Sequence, residues 1–198
     1  MVALLRGVLP LVVLVAAAPL VSAEEQEQVT NPYYKFWSKS KPGATVVLKE
    51  TTKLSGAAAA SAPEGTDVKT VTYKLAELND KKAVVEARVT QREDFGYVES
   101  APTRHIYPAK MSKAVLEDLI EETGAKGEAA TLKVGDKEVK VMALSGTIKK
   151  KGGEEVEFKI WLSDEVPGGI VKRVRTSKVN GEVVAITTVE VESFKEGD

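Results

Sequence analysis

The amino-acid sequence predicts a mainly β, α+β fold: a single antiparallel, strongly curved sheet or half-barrel of about ten strands, with one amphipathic helix packed on it. Beyond residue 44, apolar and polar side chains alternate in runs rich in Val, Thr, Ile and Tyr, and turn dipeptides separate these runs. Alternation with a period of two indicates strands with one buried face, and short turns indicate antiparallel neighbours. One segment, from Ser112 to Gly124, has helical spacing instead.

The predicted strands follow one another closely along the chain. They cover residues 45–54, 68–78, 82–91, 95–99, 103–107, 130–134, 137–149, 154–163, 170–179 and 182–194.

The first long hairpin tests the register. A three-residue loop, Asn79-Asp80-Lys81, pairs Leu75 with Val85 and Tyr73 with Ala87, so that both apolar rows lie on one face. A two-residue loop would place these rows on opposite faces, because a shift of one residue turns every side chain over. The sequence therefore predicts a bulged three-residue hairpin.

Two later turns are predicted in the same way. At Asn180-Gly181 an odd-length loop pairs the two ends of the segment Val179–Val183, whereas at Gly135-Asp136 a two-residue loop sets Leu132 against Val139. These choices keep apolar side chains on a common face of each hairpin.

The strand at 137–149 is apolar on both faces, which predicts a central strand that is covered twice. The predicted helix supplies the second cover, with Ser112 as its N-cap and Gly124 at its end. Its apolar stripe consists of Met111, Val115, Leu116, Leu119 and Ile120.

Residues 1–23 read as a secretory signal peptide. Arg6 precedes the apolar run from Val8 to Leu20, and Val21-Ser22-Ala23 supplies a small-x-small cleavage site. The alternative, a membrane-spanning helix, needs about 20 apolar residues, and this run is shorter and contains two prolines. We therefore expect cleavage near Ala23-Glu24 and an extracytoplasmic location, in the periplasm or secreted.

The mature chain is predicted to have a disordered start at residues 24–30 and a single β-rich domain at 31–198. Residues 24–28 are all Glu or Gln, a composition typical of solvated chain ends. The sequence contains no second long apolar segment, so no transmembrane segment is predicted.

Composition excludes several classes of function. The 198 residues include no Cys and one His, and the formal net charge is -1. Disulfide scaffolds and Cys-ligated metal centres are excluded, and the charge is unlike that of nucleic-acid binders. Catalytic motifs are absent, and His105 is better explained as a strand histidine than as a general base. We expect no enzyme activity, no catalytic residue, no metal and no cofactor.

Aromatic side chains give the candidate ligand-binding residues. In the strand at 154–163, Val156, Phe158, Ile160 and Leu162 form the predicted buried row, so Trp161 and Lys159 lie on the polar face. A ring in that position is covered either by another part of the chain or by a ligand. The aromatic segment Asn31–Trp37, which includes Tyr34 and Trp37, is expected to dock on the sheet and is one possible cover. The candidate binding residues are therefore Trp161, Trp37, Tyr34 and Lys159.

A second feature is a basic strand that contains Lys172, Arg173, Arg175 and Lys178. One interpretation is edge-strand protection, because charged side chains prevent edge-to-edge association. The other is a contact patch for an acidic headgroup or partner.

The segment Ile160-Trp161-Leu162-Ser163-Asp164-Glu165-Val166-Pro167 resembles the strand–turn–strand of the LolA/LolB-like lipoprotein-carrier superfamily. The chain also resembles secreted bacterial proteins with an Asn-Pro-aromatic start and a Val-Pro-Gly-Gly-x-Val-Lys turn. The resemblance implies an antiparallel half-barrel closed by helices over an apolar cavity that accepts acyl chains or another hydrophobic ligand.

Two functions of different classes follow. The first is a secreted, non-catalytic domain that binds a lipid-like or other apolar ligand in the concavity of its sheet. The alternative is a cell-envelope interaction or structural protein that docks a protein partner. The sequence leaves the oligomeric state open.

Overall fold

The structure, a computed structural model, describes residues 27–56, 59, 66–93, 96–114, 126–149 and 152–197. The elements within these ranges are one helix and twelve strands. They are β1 (Gln28–Thr30), α1 (Pro32–Trp37), β2 (Thr45–Leu54), β3 (Thr66–Leu78), β4 (Lys82–Glu93), β5 (Gly96–Glu99), β6 (Thr103–Pro108), β7 (Lys110–Ser112), β8 (Lys126–Val134), β9 (Lys137–Lys149), β10 (Glu154–Leu162), β11 (Ile170–Val179) and β12 (Glu182–Lys195).

Ten strands form one antiparallel sheet in the order β5-β4-β3-β2-β12-β11-β10-β9-β8, and β6 pairs with β4 beside β5. The sheet is not closed. It curves strongly at one end, because β12 contacts β8 although three strands lie between them. In a flat sheet these two strands would be about 19 Å apart. The predicted fold class, a curved antiparallel sheet of about ten strands, is confirmed.

The ten predicted strands all form, with bounds that differ from the predictions by a few residues. The sequence analysis missed β1 and β7, which pair as a separate two-stranded sheet through Val29 and Met111. Residues 28–30 are therefore in a strand, although they were assigned to a disordered start. Only the start of the predicted helix can be compared: Lys113 and Ala114 are helical and follow the predicted N-cap Ser112, whereas Met111 lies in β7 and not on a helical stripe. The predicted residues from 115 to 124 lie outside the described residues.

The first hairpin has the predicted register but a different turn. Leu75 pairs with Val85 and Tyr73 with Ala87, as expected. The register then shifts between Leu75 and Glu77, and the N–H of Asn79 donates to the carbonyl of Lys82 at 3.0 Å. A bulge inside β3 thus supplies the extra residue that the sequence analysis placed in the loop. A bulge and a longer loop have the same effect on which side chains share a face.

The Asn180-Gly181 turn repeats this pattern. Val179 pairs with Glu182, not with Val183, and both central residues have positive φ, 52° and 84°. This is a two-residue turn of the type that Asn-Gly favours. The predicted odd-length loop is wrong, and a register shift between Ser177 and Lys178 restores the common apolar face. At Gly135-Asp136 the predicted pairing of Leu132 with Val139 is confirmed.

The strand β9 is not covered on both faces as predicted. Val139, Val141 and Ala143 are buried, whereas Met142 on the other face is 47% exposed. The strand lies next to the edge strand β8, so it has less sheet around it than a central strand. The strand that is buried on both faces is β4, where Ala83, Val84 and Val85 are all at most 1% exposed.

The helix α1 begins at a strong local signal. Asn31 is its N-cap, with its side chain accepting from the N–H of Tyr33 at 3.0 Å, and Pro32 occupies the first turn. A capping Asn followed by Pro pre-orients the first turn of a helix. Trp37, the last residue of α1, is 4% exposed and packs in the hydrophobic core with Val46 and Leu48. The aromatic N-terminal segment therefore docks on the sheet, as expected.

Candidate ligand-binding groove

A small apolar cavity lies between α1, the sheet and the turn that leads into β11. Its volume is about 80 Å³. Cavities that hold small organic ligands are usually 300–1,000 Å³, so a ligand larger than a few atoms enters only if one wall moves. The lining includes Tyr33, Trp37, Val46, Tyr73, Tyr107 and Ile170. We call this cavity and its aromatic wall the α1 groove.

Aromatic rings continue from the α1 groove along β6. Tyr33 stacks on Tyr107 with ring centroids 5.5 Å apart, and His105 stacks on Tyr107 at 6.4 Å. Tyr73 completes the set at 6.4 Å from His105. Tyr33 is 51% exposed, so the outer ring of this row is accessible to solvent. Rings of this kind supply large apolar area together with a hydroxyl group at the edge.

Burial alters the acidity of two phenols in this row. It raises the pKa of Tyr73 above its ordinary value of 10.0, and the nearby Arg173 guanidinium opposes this effect. Burial also raises the pKa of Tyr107. Both groups are therefore neutral at neutral pH and present uncharged hydroxyls to the α1 groove.

Two glycines allow α1 to approach the β10–β11 turn closely. Gly168 has φ +76°, and a Cβ atom built on it would lie 2.8 Å from Cζ2 of Trp37. Gly169 has φ +80° and lies against the ring of Phe36. Both positions need a residue that tolerates positive φ and has no side chain. The Pro167-Gly168-Gly169 turn thus forms one wall against which α1 packs.

Few contacts hold α1 in place at its two ends. The N–H of Asn31 donates to the carbonyl of Ala109 at 3.0 Å, and the hydroxyl of Tyr34 donates to the carbonyl of Asn79 at 2.9 Å. A helix of six residues has little stability of its own and depends on such contacts. The helix is therefore the wall of the groove best able to move.

The structure places the four candidate binding residues in two locations. Trp37 and Tyr34 belong to α1, where Trp37 is buried and Tyr34 is partly buried. Trp161 and Lys159 lie together on β10, with the ammonium of Lys159 5.1 Å from the centre of the indole ring. Trp161 faces away from Phe158, as predicted, since it pairs with Ala143 whereas Phe158 pairs with Gly146. The predicted burial of the two faces is wrong, because Trp161 packs against the hydrophobic core whereas Phe158 and Ile160 do not belong to it. All four remain candidate binding residues.

Trp161 is covered by the protein itself on part of its surface. The ring is half-buried and packs against the hydrophobic core. The ammonium of Lys172 lies 5.8 Å from the ring centre, on the neighbouring strand. Cation–π contacts of this kind satisfy an aromatic face without any ligand.

The basic strand is central, so edge protection does not explain it. This strand is β11, which pairs with β10 on one side and β12 on the other. Its cations alternate between the two faces of the sheet, as in any strand. Lys172 and Lys178 form ion pairs at 2.5 Å with Glu190 and Glu157 respectively.

A larger cavity of about 200 Å³ is polar. It lies between the α1–β2 connection, the β10–β11 turn and the C-terminal residues. Its lining includes Lys39, Lys41, Asp164, Glu165 and Glu196, and Lys39 is paired with Asp164 at 2.5 Å. Opposite charges neutralise one another there, and Val166 and Pro167 supply the apolar part of a mainly polar lining, so this cavity is less suited to an apolar ligand than the α1 groove.

The described residues contain neither a metal-binding cluster nor a helix that could cross a membrane. These residues contain no group of three or more His, Cys, Asp or Glu side chains placed to hold a metal ion. Within the same ranges, none of the helical segments has the length and apolar character that a membrane crossing requires.

Comparisons with known proteins give little further information. Neither a protein-family model nor a curated protein matches the chain. Among solved structures, a putative outer membrane lipoprotein-sorting protein domain from Vibrio parahaemolyticus aligns with 82% of this chain and 89% of its own. The sequence identity is 11% and the TM-score is 0.24. A likeness at this level supports no conclusion about function, so the proposal below depends on the site alone.

Proposed function

We propose that this chain is a non-catalytic, extracytoplasmic binding protein that holds a lipid-like, apolar ligand in the α1 groove. The observation that supports the proposal is the row of aromatic rings beside an apolar cavity, in which the outer ring, that of Tyr33, is half-exposed. Binding sites for small apolar molecules are lined in this way, by aromatic side chains with a few polar groups. The signal-like N-terminus supports the location outside the cytoplasm.

The ligand enters the groove by displacing α1 or the ring of Tyr33. The cavity of about 80 Å³ is too small for an acyl chain while these groups are in place. Tyr33 is half-exposed, so its ring moves without breaking buried contacts, whereas a movement of α1 also displaces Trp37 from the hydrophobic core. The sheet strands beneath them keep their pairing.

A neutral fluorescent probe tests this proposal. N-phenylnaphthylamine becomes bright in apolar surroundings, and delipidated protein should bind it saturably at one site. Replacing Tyr33 by Ala removes one wall of the α1 groove and should weaken binding by about 3- to 10-fold. Tyr97→Ala is the matched control, because Tyr97 is 79% exposed on β5. Absence of saturable binding, or equal effects of both substitutions, would contradict the proposal.

The alternative function, docking of a protein partner, is favoured by one observation. Ile106 on β6 is 63% exposed and Tyr97 on β5 is 79% exposed, and both strands lie at one edge of the sheet. Exposed apolar side chains at a sheet edge are typical of partner surfaces. A photo-crosslinking side chain at position 106, used in the native host, should then give one recurrent protein adduct. Diffuse labelling would count against this alternative.

A further inference from the structure

The four cations of β11 differ in how they are neutralised. Lys172 and Lys178 lie on one face of the strand, and each has a carboxylate at 2.5 Å. Arg173 and Arg175 lie on the other face. Register places Arg173 opposite Val189 of β12, and Val189 opposite Glu50 of β2. This is the face on which α1 packs, since Val46 and Leu48 precede Glu50 in alternation on β2.

The two arginines have donors to spare. The closest carboxylate oxygen to Arg173 is Oε2 of Glu50, 3.9 Å from Nη2, which is too long for a hydrogen bond. The other oxygen of Glu50 is paired with Lys69 at 2.8 Å. Within the described part of the chain, no hydrogen bond reaches the Arg173 guanidinium, and Arg175 has neither a hydrogen bond nor an ion pair. Each guanidinium has five N–H donors.

The surroundings of these arginines are partly apolar. Arg173 lies between Ile160 and Val189 in the sheet, and Arg175 lies between Phe158 and Thr187. Phe158 and Ile160 are half-buried and do not belong to the main hydrophobic core. A charge beside apolar surface is screened less by water than a fully exposed one.

The arginines are within reach of the α1 groove along the same face. Glu50, in register with Arg173 through Val189, follows Val46 and Leu48 on β2. Four residues of a strand span about 14 Å, and the two strand spacings from β2 to β11 add about 10 Å at right angles, so Arg173 lies roughly 17 Å from the wall of the groove formed by Val46. Arg173 also acts electrostatically on the hydroxyl of Tyr73, which lines the groove. The face thus runs from an apolar groove to Arg173, whose one carboxylate partner is shared with Lys69, and to Arg175, which has no ion pair among the described residues.

We propose that the ligand is a long-chain carboxylate, with its chain in the α1 groove and its carboxylate on Arg173 and Arg175. The inference rests on the proposed function and names the class of ligand. The planar guanidinium fork matches a carboxylate with two parallel N–H···O bonds, and such charge-assisted bonds are stronger than neutral ones. Glu50 is shared between Lys69 at 2.8 Å and Arg173 at 3.9 Å, and Arg175 has no ion pair among the described residues, so this part of the face keeps a net positive charge.

Competition with the neutral probe tests this inference on the full mature chain. Oleate and oleyl alcohol have the same chain, so their ability to displace N-phenylnaphthylamine isolates the headgroup. We expect oleate to bind at least about 10-fold more tightly than the alcohol. The double variant Arg173→Gln and Arg175→Gln should lose this preference while its affinity for the alcohol and for the probe stays within about 2-fold.

The matched control removes the same number of cations from the same strand. The double variant Lys172→Gln and Lys178→Gln changes the net charge equally but alters the opposite face, and it should keep the preference for oleate. Far-ultraviolet circular dichroism and thermal melting check that both double variants are folded. Equal losses in the two variants, or equal binding of oleate and the alcohol by the wild type, would overturn the inference. Failure of the neutral probe to bind would instead overturn the proposed function.

Discussion

At the residue scale, the glycines of the β10–β11 turn decide how closely α1 can pack. Gly168 combines a positive φ with direct contact to the buried ring of Trp37. Sequence reasoning identified Pro167-Gly168-Gly169 as a turn, but the ring that fills the space above it comes from a segment about 130 residues earlier in the chain. The local sequence pattern predicts the turn but not the tryptophan that packs against it.

Substitution of Gly168 by Ala should destabilise the protein strongly. A Cβ atom at this position costs about 1–2 kcal/mol in backbone strain, and the overlap with Trp37 adds a further cost of about 1–3 kcal/mol. Gly181→Ala is a matched control, since Gly181 has φ +84° but nothing lies within 4 Å of the added atom. Urea unfolding followed by fluorescence should show a loss at Gly168 at least about 1 kcal/mol larger than at Gly181. Equal losses would mean that α1 does not pack against this turn.

The cations of β11 show that a sequence pattern does not reveal which charged side chains form ion pairs. The sequence identifies the basic strand and its alternation, and it offers a patch for an acidic headgroup as one interpretation. It does not show that both lysines have a carboxylate at 2.5 Å, whereas Arg173 has one only at 3.9 Å and Arg175 has none among the described residues, because these carboxylates belong to other strands. The order in which the strands pair therefore determines which cations of β11 lie next to a carboxylate.

At the element scale, strands were predictable because a half-buried strand has a period of two over many residues. Strands of three residues, such as β1 and β7, are too short to show a period. The helix α1 is also short, and its only signal is the capping Asn31-Pro32 pair. The predicted turn lengths were wrong where a β-bulge lies in the adjoining strand. The register at Tyr73 was predicted correctly, but the extra residue lies within β3 and not in the loop.

One proposed route of ligand entry requires α1 to move, and hydrogen exchange tests how readily this helix opens. The backbone N–H groups of Lys35 and Ser38 are bonded only within the short helix, to the carbonyls of Asn31 and Tyr34. They should exchange at least about 100-fold faster than those in the centre of β3, because local opening breaks few contacts. If the amides of α1 were as protected as those of β3, the helix would open only with the whole fold, and the groove could not enlarge as proposed.

At the scale of the whole molecule, the two tryptophans belong to different elements, although both pack against the same hydrophobic core. Trp37 forms a wall of the α1 groove, whereas Trp161 pairs with Ala143 and lies between two lysines. The sequence singled out both rings, since aromatic density and an indole on a polar face were visible in it. The different surroundings of the two rings depend on the strand order and on the docking of α1, which no local sequence pattern specifies.

The most direct measurement uses these two rings to locate the ligand. A dibrominated stearyl alcohol quenches tryptophan fluorescence at short range, and it is neutral, so its binding does not depend on the arginines. With Trp161→Phe, which leaves Trp37 as the only indole, bound quencher should reduce the emission strongly. With Trp37→Phe, which leaves Trp161, the reduction should be several-fold smaller in protein shown to be folded and to bind the same probe. Equal quenching of the two rings, or stronger quenching of Trp161, would contradict a ligand site in the α1 groove.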